Sequence, residues 1–382
     1  MVKNMIQSQH PTRWLVLIGV LTTGILFIYN CSEILRPLPK QHSGHVNLTS
    51  YAAFKRNNPS GKTILFWTSF FDREDFYVGM ETKPFRKCPV RQCFTTNDRS
   101  LLNQSDAVIF HIRDLDMNDM PDKRLIHQRW IFYLLESPIY TYRSLADLGG
   151  VFNWTMTYRH DSDIQRPYSV GIPLQKLLLP NEKDEVSFHQ LLAGKTKKVA
   201  WFVSNCRTNS LRELYVSKLK NYIEVDIYGA CSIKQCLNRV LCYNMLAKEY
   251  KFYLAFENSI CRDYVTEKFF NSLRYSVVPV VLGGANYTSE ISKDAFINIA
   301  DFESPRHLAD YLNLLDKNLT AYERYFHWRR GRVPHQNRPF CDLCRMLHNS
   351  SLPSKSYPNV ASWWFGQSHC SEYKTALLRS SF

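Results

Sequence analysis

The residue types and spacings best suited to chemistry fall in residues 251–284, KFYLAFENSICRDYVTEKFFNSLRYSVVPVVLGG. An apolar run delivers Glu257 and Asn258 at its carboxyl end. A short loop follows, then a helix expected to begin near 263–265 that carries Thr266, Glu267 and Lys268 in its first turns. A helix start exposes unpaired backbone N–H groups and the positive end of the helix dipole, which together suit a phosphate. Lys268 adds a point charge, and Glu267 can accept hydrogen bonds from ribose hydroxyls. The segment is not a Gly-rich phosphate loop, so neither the Walker nor the dinucleotide fingerprint applies. The competing reading is that Glu267 and Lys268 are ordinary exposed helix charges.

Residues 203–215, VSNCRTNSLRELY, repeat the pattern of apolar run, loop and helix start. Arg212 can there clamp a diphosphate with both arms of its guanidinium, with Arg207 as the rival and a solvated helix face as the bland alternative. In residues 129–143, RWIFYLLESPIYTYR, Glu136 ends an apolar run and Ser137-Pro138 turns the chain. A carboxylate at such a strand end can act as a general base, or simply cap the turn. Two Asp-x-Asp pairs, Asp114 with Asp116 and Asp161 with Asp163, are of the kind that can hold a divalent metal between phosphates. The second pair lies in a dense polar loop, YRHDSDIQRPY, expected to line a cleft with Tyr158 and Arg159. Cys341 and Cys344 form a CxxC, with His348, His369 and Cys370 as further ligands for a zinc reading; two structural half-cystines are the preferred reading.

The elements that must position these groups alternate. Residues 63–70, 107–112 and 130–135 are apolar, aromatic runs typical of buried strands. A polar stretch at 180–198 marks a domain boundary. Beyond it the pattern reads strand (199–203), helix (210–222), strand (223–228), strand (252–256), helix (264–274) and strand (277–282). Strands alternating with helices imply an α/β architecture whose parallel sheets are covered on both faces. Two domains facing a cleft are expected: 61–190, then 191–350 on the phosphate side, with an extension over 351–382.

The 382 residues carry 48 Lys+Arg against 34 Asp+Glu, a net charge of +14, and more than half of this surplus lies in residues 195–345. With 45% hydrophobic and 14% aromatic residues, the chain is excluded from the disordered class. A single uncharged run, WLVLIGVLTTGILFIY at 14–29, excludes a multi-span transporter. It is read as a signal-anchor transmembrane helix over 14–30, behind a cytoplasmic tail (1–13) and ahead of an extended stem (31–60). No small-x-small site follows to favour a cleaved signal peptide. Acceptor triplets for N-glycosylation occur at Asn30, Asn47, Asn103, Asn153, Asn286, Asn318 and Asn349, all beyond the apolar run. Setting aside Cys31, ten cysteines remain, among them Cys88, Cys93, Cys231, Cys236, Cys242, Cys341, Cys344 and Cys370. An even number suits lumenal disulfides, whose pairing cannot be read from spacing. A lumenal body also places the basic surplus out of reach of nucleic acid.

These segments resemble the α1,3-fucosyltransferases of glycosyltransferase family 10. The signature FYLAFENSICRDYVTEKFFNSLRYSVVPVVLGG, the WIFYLLESP turn, the FNWTMTYRHDSDIQRPY motif and the CDLC pair carry the resemblance, which extends from about residue 63 to 347. It implies a GT-B fold of two Rossmann-like domains, a type II Golgi membrane protein, GDP-fucose bound by the C-terminal domain and an acceptor bound by the N-terminal one. By position, Glu136 matches the catalytic base, Arg212 and Lys268 the diphosphate ligands, and Glu267 the ribose contact. Asn258 and Tyr264 lie in the donor signature, and Tyr158, Arg159, Asp161 and Asp163 on the acceptor side or cleft. The implied reaction is an inverting transfer of fucose from GDP-β-L-fucose to O3 of N-acetylglucosamine on glycoprotein glycans. No metal is required, since cationic side chains take its role, although stimulation by a divalent metal stays open. The Cys-rich stretch 229–246 is more similar to invertebrate and plant members that act on the N-glycan core than to Lewis-type mammalian ones. Core and antennae both remain open as acceptors. So do a metal-dependent Golgi glycosyltransferase of different donor specificity and a non-catalytic glycan-binding Golgi protein.

Overall fold

Short runs of β-branched and aromatic residues, buried on both faces, build two parallel sheets. The computed structural model describes residues 48–170, 174–179, 181–236, 238–331 and 337–371. The first sheet contains β1 (Lys62–Phe66), β2 (Cys93–Thr96), β3 (Ala107–His111), β4 (Arg129–Leu134), β5 (Trp154–Thr157) and β6 (Ile164–Gln165), in the order β2-β1-β3-β4-β5-β6. The second contains β7 (Lys197–Phe202), β8 (Val225–Tyr228), β9 (Tyr250–Phe256), β10 (Val278–Leu282) and β11 (Ile297–Asn298), in the order β11-β10-β9-β7-β8. Every pairing is parallel, from Ile131 beside Trp154 in the first sheet to Val280 beside Leu254 in the second. Both sheets belong to one compact unit, Val46–Phe382. In each sheet the order doubles back on itself, at β1/β3 in the first and β7/β9 in the second, and the strand carboxyl ends beside such a switch are where a ligand is expected.

The eight described α-helices, in chain order, are α1 (Leu48–Asn57), α2 (Glu182–Ala193), α3 (Arg212–Leu219), α4 (Arg239–Glu249), α5 (Glu267–Arg274), α6 (Pro305–Lys317), α7 (Leu319–Glu323) and α8 (Pro339–Leu347). The core of the second sheet joins Val199, Phe252, Phe256 and Val280 to Val216 and Leu219 of α3 and Leu308 and Leu312 of α6.

Several expectations change at this level. The sequence predicts an extended stem to residue 60, but 48–57 is helical. Phe54 is buried there and packs on Phe94 at 5.2 Å between ring centroids, while Tyr51 meets the same ring at 5.4 Å. Aromatics three residues apart share a helix face, and β2 gives that face a partner. Helix α2 spans the expected boundary at 190: Leu192, beyond it, joins the core of the second sheet, but so does Phe188, before it, which packs on Phe326. Helix α8 was placed in the second domain, but its Phe340, Leu343 and Cys344 enter the core of the first sheet. Two disulfides fix it there, Cys88–Cys341 and Cys93–Cys344. The remaining cysteines pair as Cys206–Cys231, Cys236–Cys242 and Cys261–Cys370, so all ten beyond Cys31 are bonded. The apolar run at 14–29, the sequons at Asn30 and Asn47 and Cys31 lie outside the described residues. Among those described, no helix is long and apolar enough to cross a membrane.

Candidate active site

The signature loop begins where β9 ends. Glu257 is fully buried and accepts hydrogen bonds from the Thr266 backbone N–H (2.8 Å), the Thr266 hydroxyl (2.8 and 3.0 Å) and Lys268 Nζ (3.1 Å). The loop between them passes through Asp263, whose φ of 61° is left-handed. Asp263 is thereby kept out of the right-handed helix, and Thr266 is still extended (φ −104°, ψ −175°), so α5 starts at Glu267 rather than near 263–265. Thr266 is the N-cap, but its hydroxyl is committed to Glu257 instead of capping the helix. The first two helical residues, Glu267 and Lys268, are therefore two of the five candidate donor ligands. Gly284 allows the loop to pack closely, because a Cβ there would stand 2.9 Å from the Cys261 backbone nitrogen and oxygen.

Lys268 also donates to Thr266 Oγ1 at 2.7 Å and lies 3.5 Å from Glu267. Burial works against its charge, but Glu257 and Glu267 hold its ammonium above the ordinary lysine range. Burial pushes Glu257 up against the pull of Lys268. Glu267 is opposed by burial, yet Lys268, its own backbone N–H and Arg239 keep it below the usual range. The chain thus places an ammonium and a carboxylate, each favoured in its charged form by the other, at the start of one helix.

Arg212 is 3% exposed at the first position of α3. It donates through Nη1 to the Phe256 carbonyl (2.7 Å) and through Nη2 to the Asn205 carbonyl (3.1 Å), while its Nε is buried without a partner. Burial pulls its guanidinium below the usual range, with Glu257 the largest opposing charge. Ser210 ties the same loop to the end of β9 through Glu257 O (2.7 Å). Arg207 is exposed on that loop. Asn258 is half-buried between the two segments, and its carbonyl accepts from Ser210 N at 3.2 Å.

Glu136 follows β4 and faces these groups from the first sheet. Burial raises its carboxyl above the ordinary value. Arg113, with Nη1 3.9 Å away, and Lys268 pull it down, while Glu267 and Glu257 push it up as like charges. A direct link across the halves lies one residue on, where the buried Ser137 and Ser259 hydroxyls are 2.6 Å apart. The fold therefore brings a partly buried carboxylate, two cations and a helix start to the carboxyl ends of both sheets.

The first-domain polar motif does not line this site. Arg159 is fully buried and Tyr158 is 2% exposed. Arg159 donates to Asp161 (2.8 and 2.5 Å) and to the Trp363 carbonyl (2.6 Å). Asp163 accepts from Thr155 N (2.9 Å), Tyr357 OH (2.8 Å) and Lys355 Nζ (2.5 Å). These carboxylates are used internally, holding the C-terminal extension to the first sheet. Of the other pair, Asp114 is taken by His111 (3.0 Å) and Phe71 N (2.7 Å), and Asp116 caps Asn118 (2.9 Å). Neither pair presents two open carboxylates for a metal between phosphates. The metal-like cluster among the described residues is Cys93, Cys344 and His348, whose two sulfurs are bonded to each other. Tyr264 is also withdrawn, 2% exposed and packed on Tyr158 at 5.0 Å.

Of the described sequons, Asn103, Asn286, Asn318 and Asn349 are exposed. Asn153 is not: it is 5% exposed, accepts from Trp130 N (2.8 Å) and donates to the Lys355 carbonyl (2.8 Å). Both ends of its amide serve the fold, which leaves no room for a glycan there.

Comparison with known proteins shows the family to which these two halves belong. Residues 59–169 match the family model "Fucosyltransferase, N-terminal", and residues 192–363 match "Glycosyltransferase family 10 (fucosyltransferase) C-term". Alpha-(1,3)-fucosyltransferase C of Drosophila melanogaster is 38% identical over 332 residues, covering 80% of this chain and 78% of that one. The chain belongs to glycosyltransferase family 10. A second relative, the human 4-galactosyl-N-acetylglucosaminide 3-alpha-L-fucosyltransferase FUT5, is 40% identical over 282 residues, covering 71% of this chain and 72% of its own. The fold matches the crystal structure of an alpha1,3-fucosyltransferase with GDP-fucose, with a TM-score of 0.53, 14% identity, and coverage of 78% of this chain and 93% of that one.

Against the family pattern, the residue that sequence reasoning left without a role is Glu257. It was placed at a strand end, but its task is to hold Thr266 and Lys268. The available signal was an acid directly after five buried residues, Phe252–Phe256. The C-terminal extension was likewise read only as an appendage. Its Trp363-Trp364 pair was the signal, since adjacent tryptophans rarely stay in water.

Proposed function

We propose that this chain is an inverting α1,3-fucosyltransferase, moving fucose from GDP-β-L-fucose to O3 of N-acetylglucosamine on glycoprotein glycans in the Golgi lumen. The observation that carries the reading is Glu136, a carboxylate raised by burial at the end of β4 and facing Lys268 and Glu267 of the signature. The base removes the O3 proton as that oxygen forms a bond to the anomeric carbon from the face opposite GDP. The bond from that carbon to the β-phosphate oxygen breaks, and negative charge collects on the diphosphate. Lys268, Arg212 and the N–H groups at the start of α5 are fixed charges and dipoles aimed where that charge develops. A nucleotide diphosphate leaves without a proton, so one carboxylate suffices where glycoside hydrolysis uses two.

The likeness of the Cys-rich stretch 229–246 to members acting on the N-glycan core supports that acceptor, which we favour over lactosamine antennae; Cys231, Cys236 and Cys242 of this stretch are all disulfide-bonded. The test is transfer from GDP-fucose to both glycan classes, with the product linkage determined. Glu136→Gln should lower turnover by roughly 10²–10⁴-fold while GDP binding persists. Near-wild-type turnover in that variant removes Glu136 as the base.

A further inference from the structure

Residues 355–371 touch both halves of the site through polar contacts that packing alone does not require. On the first sheet, Tyr357 OH and Lys355 Nζ bind Asp163, the Arg159 guanidinium binds the Trp363 carbonyl, and the Gly150 N–H donates to Tyr357 O at 2.7 Å. The fully buried Trp364 then donates from its indole Nε1 to Thr141 Oγ1 at 2.8 Å. Thr141 closes the single helical turn Pro138–Tyr140, which begins two residues after Glu136. A few residues further on, the same segment reaches the donor loop. Arg262 N donates to Ser368 O (2.8 Å), Ser371 N donates to Ile260 O (2.8 Å), and Cys370 is bonded to Cys261. Cys261 lies between Glu257 and Lys268. One short strap therefore grips the turn that follows the base and the loop that precedes the diphosphate ligand.

We infer that this strap is a positioning device, with Trp364 and Cys370 setting the distance between Glu136 and the donor loop; the inference rests on the transfer reaction proposed above. The two grips act on different parts of the reaction. The Trp364–Thr141 bond orients the base turn, which matters in the transition state. The Cys261–Cys370 bond holds the loop that precedes Lys268, which matters already when donor binds. Displacing a positioned group by about 1 Å can cost up to 10²-fold in rate.

The experiment compares kcat and the KM for GDP-fucose of the full lumenal protein with those of four variants, each normalised to folded protein. Thr141→Val removes the acceptor of one bond while keeping shape, and Trp364→Phe removes its donor together with part of the ring; each should lower kcat roughly tenfold with little change in KM for GDP-fucose. Thr141→Ser restores the oxygen and should recover most of kcat. Cys370→Ser should instead raise KM for GDP-fucose by roughly tenfold. If that variant does not fold, the Thr141 pair decides alone. The inference is overturned if Thr141→Val and Thr141→Ser are equally active, or if folded Cys370→Ser keeps the wild-type KM. A wild-type protein that transfers no fucose would remove the reaction itself, a result distinct from unaltered variants of an active enzyme.

Discussion

Replacing Arg113 by leucine should move the acid limb of the pH–rate profile upward by about one unit. Arg113 Nη1 stands 3.9 Å from Glu136 Oε1, and about a quarter of each side chain is exposed, 29% and 23%. Its guanidinium also lies between the rings of Phe71 and Tyr142, 5.1 Å from each centroid. Unit charges 4 Å apart attract by about 1 kcal/mol in water and about 4 kcal/mol at the effective dielectric of a protein surface. With both groups partly wetted, an estimate of about 1–2 kcal/mol is appropriate, equivalent to roughly one pK unit. As the proposed base, Glu136 must act ionised; burial already raises its pKa, and removing its principal neutralising partner raises it further. A larger fraction is then protonated at mildly acidic pH, and kcat/KM begins to fall at a higher pH. The assay is kcat/KM for GDP-fucose transfer from about pH 5 to 8, fitted for the position of the limb rather than its height, since Arg113 could also touch acceptor. Arg113→Lys keeps a charge and should leave the limb close to wild type. Added salt should shift the wild-type limb upward and leave that of the leucine variant in place, because an exposed pair is screened. An unmoved limb in Arg113→Leu would refute the reasoning: either Glu136 is not the titrating base or the pair is not formed.

Three other outcomes follow from the geometry. Lys268→Ala should weaken GDP binding and destabilise the fold by roughly 3–5 kcal/mol, because it strands the fully buried Glu257; adding Glu257→Gln should restore much of Tm but not GDP affinity, and a recovery of both would remove Lys268 from the donor site. Single Asn→Gln changes at Asn103, Asn286, Asn318 and Asn349 test which exposed sequons carry glycan by the loss of a glycosidase-sensitive mobility shift, whereas Asn153→Gln should leave mobility unchanged and lower Tm, and a mobility shift there would contradict its buried amide. Asp163→Asn should lower stability by roughly 1.5–3 kcal/mol through its bonds to Lys355 and Tyr357, with transfer in EDTA no more affected than in buffer; a selective loss in EDTA would return the Asp-x-Asp pair to a metal role.

The parts of this site that local sequence reveals are those built within one strand–loop–helix unit. The run VVPVVLGG reads as a buried strand with a tight exit because both properties lie in adjacent residues. Glu136 was legible because six apolar residues end in a carboxylate and a proline. What could not be read depends on pairing across the chain. Arg159 and Asp161 look like cleft residues in a polar loop, and only the return of the chain 204 residues later, placing Trp363 against Arg159, turns that loop inward. The same distance hides the domain boundary: α8 follows the second sheet in sequence, and nothing in CDLC says that its partners are Cys88 and Cys93. Helix α5 starts later than its periodicity suggests because one left-handed residue, Asp263, is invisible to hydrophobic spacing.

Two carboxylates of this site share a raised pKa and a position just beyond a strand, yet they are suited to opposite tasks. Glu136 is about a quarter exposed, and its nearest cation is 3.9 Å away, too far for a full hydrogen bond. Its oxygens retain capacity for an incoming hydroxyl, and its raised pKa makes it a stronger proton acceptor once ionised. Glu257 has the same chemistry but no exposure, and its oxygens are occupied by Thr266 and Lys268. A carboxylate so committed has no proton to take from substrate. It fixes instead how far the loop runs before α5 can begin, and so where Lys268 stands. Environment rather than residue type divides the labour: in the reaction proposed above, the partly exposed acid is the one free to take a proton, and the buried one holds the cation placed to meet the departing charge.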